Sequence, residues 1–201
     1  LNLHLQKSID AFRNFIPAEK KNSLDIPPDF KSGVWGLDFF HEFEKGKISE
    51  EDFRNNMRKT FQLKISDTEI DSAWNAMLGD FPKNRLDFLI RLKKKYRLFL
   101  LTNTNEIHWK EVEQIIIRTF GKNILDEVFD KVYRSSRVHL RKPEKEIFEL
   151  VLNENHLHPN EVIFIDDSAQ HIDGAKNAGI KNSFLHQTNE AVEKLFSKIN
   201  G

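Results

Sequence analysis

Two short, unbroken apolar runs constrain this chain more than any other feature: Leu98-Phe99-Leu100-Leu101 and Val162-Ile163-Phe164-Ile165. A strand with one face in water alternates apolar and polar residues. A continuous run belongs to a strand covered on both faces, as in a parallel sheet flanked by helices. Each run leads into a polar cluster and then a helical pattern, over residues 107–120 ending at Gly121 and over 169–178 ending at Gly179. Glycine suits the left-handed turn after a helix. Val132-Tyr133 and Asn182 to Leu185 read as two further strands. Pro143 opens a helix through about Leu152, and residues 189–198 form a last one. Alternating strands and helices imply right-handed crossovers and an α/β, doubly wound, Rossmann-like parallel sheet.

The first part of the chain reads differently. Leu5, Ile9, Phe12 and Ile16 recur at helical spacing and predict an amphipathic helix from about Leu3 to Phe15. Pro17 and Pro27-Pro28 then break the pattern. Ser49-Glu50-Glu51-Asp52 and Ser66-Asp67-Thr68-Glu69 are capping boxes, in which a hydroxyl caps the helix and an acid three residues on reaches back. They predict helices near 50–61 and 67–78, followed by another near 85–94. A helical module over residues 15–80 therefore interrupts an α/β module made of residues 1–14 and 81–201.

Charge and composition narrow the function classes. Lys+Arg and Asp+Glu are both 31, and a nucleic-acid binder would carry a basic surplus. No apolar run approaches the roughly 20 residues of a membrane helix. With no cysteine, disulfides, thiolate metal sites and a cysteine nucleophile are excluded. Leu1-Asn2-Leu3-His4-Leu5 has neither the basic start nor the cleavage site of a signal peptide, so a cytoplasmic protein is expected. The start at Leu1 rather than Met leads to the expectation of a further segment upstream.

In sheets of this kind ligands bind beyond the carboxyl ends of the strands. Three strand ends carry polar clusters: Thr102-Asn103-Thr104-Asn105, Arg141-Lys142-Pro143 and Asp166-Asp167-Ser168. Two carboxylates about 4 Å apart repel by roughly 4 kcal/mol at an effective dielectric of about 20. A hard divalent cation offsets this, and Mg²⁺ is commonly held by one or two carboxylates plus substrate phosphate. Asp166 and Asp167 are therefore metal-ligand candidates. Thr102 and Asn103 offer donors for a phosphoryl oxygen, and Lys142 a positive charge at the mouth of the sheet. Each has an ordinary alternative: Asp167 or Ser168 can cap the next helix, Thr102 and Asn103 can bond in local turns, and Lys142 can be solvated. The arrival of hydroxyl, cation and acid pair at three strand ends in order favours the functional use.

That ordered set resembles the haloacid dehalogenase-like hydrolases, in the subgroup with an inserted helical cap. Leu100 to Asn105, Arg141 to Glu144 and Phe164 to Ser168 are similar to the family's second, third and fourth motifs. Ile172 to Ile180 fits the helix and turn that follow. Phe40 to Ser49 is similar to the cap of small bacterial sugar-phosphate phosphatases. The resemblance implies a Mg²⁺-dependent phosphomonoesterase acting on a small phosphorylated metabolite such as a sugar phosphate. Catalysis would pass through an aspartyl-phosphate whose Asp lies upstream of residue 1, because Asp10 falls inside a helix. It further implies catalytic roles for Thr102, Lys142 and Asp166, phosphoryl binding by Thr102, Asn103 and Lys142, and Mg²⁺ on Asp166 and Asp167. In the cap, Trp35 and His41 are expected to face the substrate, with Phe39, Phe40 and Glu42 as further candidates. Phe39, Phe43 and Phe53 also read as cap core, and Trp74 and Trp109 as structural. His171 and His139 stand where relatives carry Asn and Gly, and are expected to tune affinity. A monomer or homodimer without nucleic-acid or membrane partners is expected. Dehalogenase, phosphomutase and non-catalytic phosphate-binding readings remain alternatives.

Overall fold

A computed structural model describes residues 3–16, 37–186, 194 and 196. The helical part comprises α1 (Leu5–Asn14), α2 (Asp38–Glu44), α3 (Glu50–Phe61) and α4 (Asp67–Asn75). Both capping boxes form as the sequence predicts. Ser49 Oγ accepts from the Asp52 N–H while Asp52 accepts from the Ser49 N–H, and Ser66 and Glu69 repeat the exchange. Phe40, Phe43, Phe53, Met57, Ile70 and Trp74 are buried together, with Phe43 and Phe53 stacked 4.2 Å apart. Ile9, Phe12 and Ile16 join this same cluster. The apolar face of α1 thus packs with the cap helices rather than on the sheet, although the sequence reading placed this helix with the α/β module. Ser8 ties it there, donating to Trp74 O and accepting from the Met77 N–H, both at 2.9 Å.

The α/β part runs α5 (Lys83–Lys93), β1 (Phe99–Thr102), α6 (Glu106–Phe120), α7 (Leu125–Val128), β2 (Lys131–Arg134), α8 (Ser135–Val138), α9 (Lys145–Glu154), β3 (Phe164–Asp166), α10 (Ala169–Asn177) and β4 (Ser183–Leu185). β1 pairs in parallel with β2, Leu101 opposite Tyr133, and β3 pairs in parallel with β4, Ile165 opposite Phe184. Adjacent residues of a strand point to opposite faces. Leu100 accordingly packs with Leu86, Trp109, Ile116 and Val128 on one side, while Leu101 packs with Ile147, Phe148 and Ala175 on the other. That two-sided cover is why the apolar run is continuous. It makes an α/β fold with parallel strands and helices on both faces.

Some boundaries differ from the sequence reading. The helix assigned to Pro143 begins at Lys145, because Lys142 and Pro143 form a turn, with a cis peptide bond between them. Ser168 precedes α10 but its side chain does not cap it; its N–H instead bonds Asp166 Oδ1 at 2.9 Å. Gly121 takes a left-handed φ of 80° and ends α6 as predicted. Trp35 and most of the last predicted helix lie outside the described residues. Among the described residues no helix is long and apolar enough to cross a membrane.

Candidate active site

The three polar clusters converge. Lys142 and Asp166 side chains are each 8% exposed, and the ammonium lies 2.7 Å from Asp166 Oδ2. The same ammonium donates to the Leu101 carbonyl at 2.8 Å. It thus stands between the ends of β1 and β3. Asn103 fixes the backbone beneath it, its Oδ1 accepting from the Lys142 N–H at 2.9 Å and its Nδ2 donating to Lys142 O at 2.8 Å. Both ends of the Asn103 amide are therefore committed to Lys142. The side chain thus positions the lysine. The Thr102 hydroxyl has only a long 3.5 Å contact to Asn103 O, so it stays available to a ligand.

Asp166 is ionised. Burial raises its pKa, but the His171 hydrogen bond, the charge of Lys142 and the Ser168 N–H together hold it well below the ordinary carboxylate range. His171 Nδ1 lies 2.8 Å from Asp166 Oδ1. With Oδ1 shared by His171 and Ser168, Oδ2 takes a single bond from Lys142 and keeps a lone pair. Asp167 is exposed beside it. Two hard carboxylates suit Mg²⁺, which retains waters and shares its coordination with substrate phosphate. Among the described residues no group of three acidic or histidine side chains is placed to hold a metal by itself.

The loop after β1 is held from below. Ser135, fully buried, donates to Thr104 O at 3.0 Å and accepts from the Thr104 N–H at 2.9 Å. Asn105 caps α6 by accepting from the His108 N–H at 2.9 Å. The cap meets the site at the end of α2. Arg141 Nη2 lies 2.9 Å from Glu44 Oε2, Lys45 pairs with Glu144, and the Lys45 carbonyl is 2.7 Å from His139 Nδ1. Gly46, at φ 63°, turns the chain where Ser136 O approaches so closely that no Cβ would fit. His139 itself is left-handed at φ 58°, a conformation that glycine adopts freely. His41 belongs to this junction, half-buried, with Nδ1 out of reach of solvent. Burial raises the pKa of Glu44 against the opposing charges of Arg141, His41 and His171.

Sequence reasoning missed Glu44 and Ser135, and it assigned no site role to Arg141. Glu44 lay inside the cap stretch already singled out, and Arg141 beside Lys142, so position alone was their signal. Ser135 had none.

Residues 38–184 match the model of the haloacid dehalogenase-like hydrolase family. The chain belongs to that family. It is 30% identical to the D-ribitol-5-phosphate phosphatase of Bacteroides thetaiotaomicron, over 90% of this chain and 84% of that protein. The wild-type structure of a haloacid dehalogenase family enzyme of that organism, in complex with magnesium and inorganic phosphate, superimposes with a TM-score of 0.79. It is 34% identical, and the match covers 97% of this chain and 92% of that one. A family hydrolase of Porphyromonas gingivalis, 26% identical, also gives 0.79 over 100% of this chain and 92% of its own. This haloacid dehalogenase-like hydrolase therefore has Thr102 and Asp166 at its strand ends and Lys142 in the turn between them, beneath a cap held by Glu44 and Lys45.

Proposed function

We propose that this hydrolase is a Mg²⁺-dependent phosphatase that releases inorganic phosphate from a small phosphorylated polyol or sugar. The observation that carries the reading is the buried Lys142 ammonium, held between the Leu101 carbonyl and Asp166. A buried ammonium at a strand end is a fixed charge for both a carboxylate nucleophile and a phosphoryl group. The nucleophile is an aspartate on a strand preceding α1 and lying between β1 and β3. In support, each of these apolar strands stays half-exposed, with a strand partner on one edge among the described residues. The names of the Bacteroides relatives support the phosphate ester and the metal.

Asp166 and Asp167 would hold Mg²⁺, which would offset the negative charge of the phosphoryl oxygens. The Thr102 hydroxyl donates to one phosphoryl oxygen. Lys142 stabilises the nucleophile as a carboxylate and the charge that develops on phosphorus-bound oxygen. Asn103 holds Lys142 in place through its backbone, and His171 holds Asp166 by Oδ1. The carboxylate attacks phosphorus as the P–O bond to the alcohol breaks and the leaving oxygen takes up a proton. Water then attacks phosphorus, giving up a proton, and the P–O bond to the aspartate breaks to free phosphate and restore the carboxylate. Helices α2 to α4, in the cap, close over the ester, with His41 facing it.

The test is phosphate release from ribitol 5-phosphate and a panel of sugar phosphates by the full-length protein, with Mg²⁺ or with chelator. Mg²⁺-dependent turnover abolished in Asp166→Asn is the expected result. Chelator-insensitive halide release from a haloacid would replace the reading with a dehalogenase, and an isomeric phosphate product would replace it with a mutase.

A further inference from the structure

An ammonium at the end of a flexible four-carbon stem is only as well placed as the backbone that carries it. Lys142 sits in residues 139–144, which lie between α8 and α9 and belong to neither helix nor strand. The Glu144 N–H donates to Arg141 O at 2.9 Å and closes the turn. The core supports it from below, where Asn103 holds both backbone groups of Lys142 and Gly174 of α10 lies against Pro143. Those contacts fall on Lys142 and Pro143, and the flanking Arg141 and Glu144 are held from the other side.

The cap holds them. Three consecutive residues at the end of α2 reach the core around Lys142. Glu44 Oε2 pairs with Arg141 Nη2 at 2.9 Å, Lys45 pairs with Glu144, and Lys45 O lies 2.7 Å from His139 Nδ1. Gly46 then meets Ser136 O at a separation that admits no Cβ. The two ion pairs thus grip the turn on both sides of the lysine. Their side chains are 15–33% exposed, against 42–49% for the nearby Lys47–Glu42 pair, so water and salt screen them less. Burial raises the pKa of Glu44, and the charge of Arg141 is the foremost influence opposing it, so the carboxylate relies on this guanidinium. Other contacts between cap and core land on α6: Glu50 pairs with Lys110 at 2.6 Å, and Trp74 stacks on His108 at 4.8 Å. A cap that needed only to be docked is served there. The pairs at the end of α2 fall instead on the irregular segment that decides where the ammonium stands.

We propose that Glu44 and Lys45 are positioning residues, through which the cap holds the Arg141–Glu144 turn and so fixes the Lys142 ammonium for phosphoryl transfer. The inference rests on the phosphatase reading above. It makes the cap part of the machinery for the transfer itself, in addition to a cover over the ester. Loss of either pair lets the turn, and the ammonium with it, drift. Because the ammonium serves the phosphoryl group, the effect is the same whatever alcohol leaves.

The experiment compares the full-length wild type with Glu44→Gln, Lys45→Met and Lys110→Met, the last breaking the ion pair on α6. One readout is amide hydrogen exchange at the Lys142 and Glu144 N–H groups, which bond Asn103 Oδ1 and Arg141 O. The other is kcat and KM with Mg²⁺ on ribitol 5-phosphate and on 4-nitrophenyl phosphate, which has no free hydroxyl on its leaving group. In Glu44→Gln and Lys45→Met both amides exchange several-fold faster. Their kcat falls by about 10-fold on both esters with KM little changed, a full 1 Å misplacement costing on the order of 100-fold. Lys45→Arg, which keeps the charge, recovers most of the loss, and Lys110→Met matches the wild type in both readouts. Unchanged exchange at the turn overturns the proposal, as does faster exchange with kcat intact. A loss confined to the polyol ester overturns it too, because the contact then acts on the leaving group. An equal loss of kcat in Lys110→Met does the same, since cap docking anywhere would then suffice. A wild type that cleaves neither ester overturns the phosphatase reading and the catalytic use of the contact, and exchange at the turn then decides by itself whether the cap holds it.

Discussion

Gly174 on α10 offers the sharpest test of how the fold holds Lys142. A Cβ built on it overlaps the Pro143 carbonyl oxygen and lies 3.0 Å from both the carbonyl carbon and the Cβ of Pro143. Favourable carbon contacts sit at about 3.5–4.0 Å, so helix and turn must part by about 0.5–1 Å. The opposing oxygen is backbone and has no rotamer by which to retreat. Overpacking costs about 1–3 kcal/mol, here near the upper end, while Ala gains about 1 kcal/mol over Gly inside a helix. Gly174→Ala should therefore lose about 2 kcal/mol, a drop in Tm of about 4–8 °C for a chain of this size. The displaced turn carries Lys142, whose bonds to Asp166 and Leu101 are 2.7 and 2.8 Å. A misplacement near 1 Å can cost on the order of 100-fold in rate, so kcat should fall by about 10- to 100-fold. Thermal unfolding and phosphate release read the two effects. Gly121→Ala is the control, because nothing lies within 4 Å of its Cβ and only its φ of +80° is strained. That variant should lose about 1–2 kcal/mol with kcat intact. A Gly174→Ala protein that melts with wild type and keeps its kcat would refute the argument.

Two further perturbations probe the supports of the site. Ser135→Ala strips both partners from the buried N–H and C=O of Thr104, at about 1–3 kcal/mol for each group, and should lower the denaturation midpoint without changing the m-value; a loss under about 0.5 kcal/mol counts against it. Burial pushes the pKa of His108 down to about 4 from an ordinary 6.5, against a raising hydrogen bond to Trp74 O. The neutral ring serves Trp74 O at 3.1 Å through Nε2 and Asn105 Nδ2 at 3.3 Å through Nδ1. Because the folded pKa is the lower one, this contribution is full above pH 6.5 and is lost as pH falls toward 4. The stability difference between wild type and His108→Gln should shrink by about 2–3 kcal/mol between pH 7.5 and 4.5, and a constant difference sinks the assignment.

Local patterns were legible because they are written over a few consecutive residues. The runs at Leu98–Leu101 and Val162–Ile165 announced strands covered on both faces, and Leu100 and Leu101 do face opposite cores. Ser49 and Ser66 announced helix starts, since a cap and its reciprocal acid lie only three residues apart. Residue order placed Thr102, Lys142 and Asp166 at strand ends, and the sheet's parallel direction brought them to one edge.

What tertiary structure alone decided are the contacts between residues far apart in the chain. Asn103 could equally have offered its amide to a ligand; only the approach of the Lys142 turn commits both ends of it. The helical period of α1 reveals an apolar face but not its partner, and Ser8 shows that partner to be α4 and the turn after it. Glu44 and Arg141 meet because the cap closes on the core, a geometry set by packing, in which neither residue type nor spacing takes part. Periodicity encodes which face of an element is buried. The surface it is buried against depends on how the elements fill space together, and that is where the lysine found its support and Glu44 its arginine.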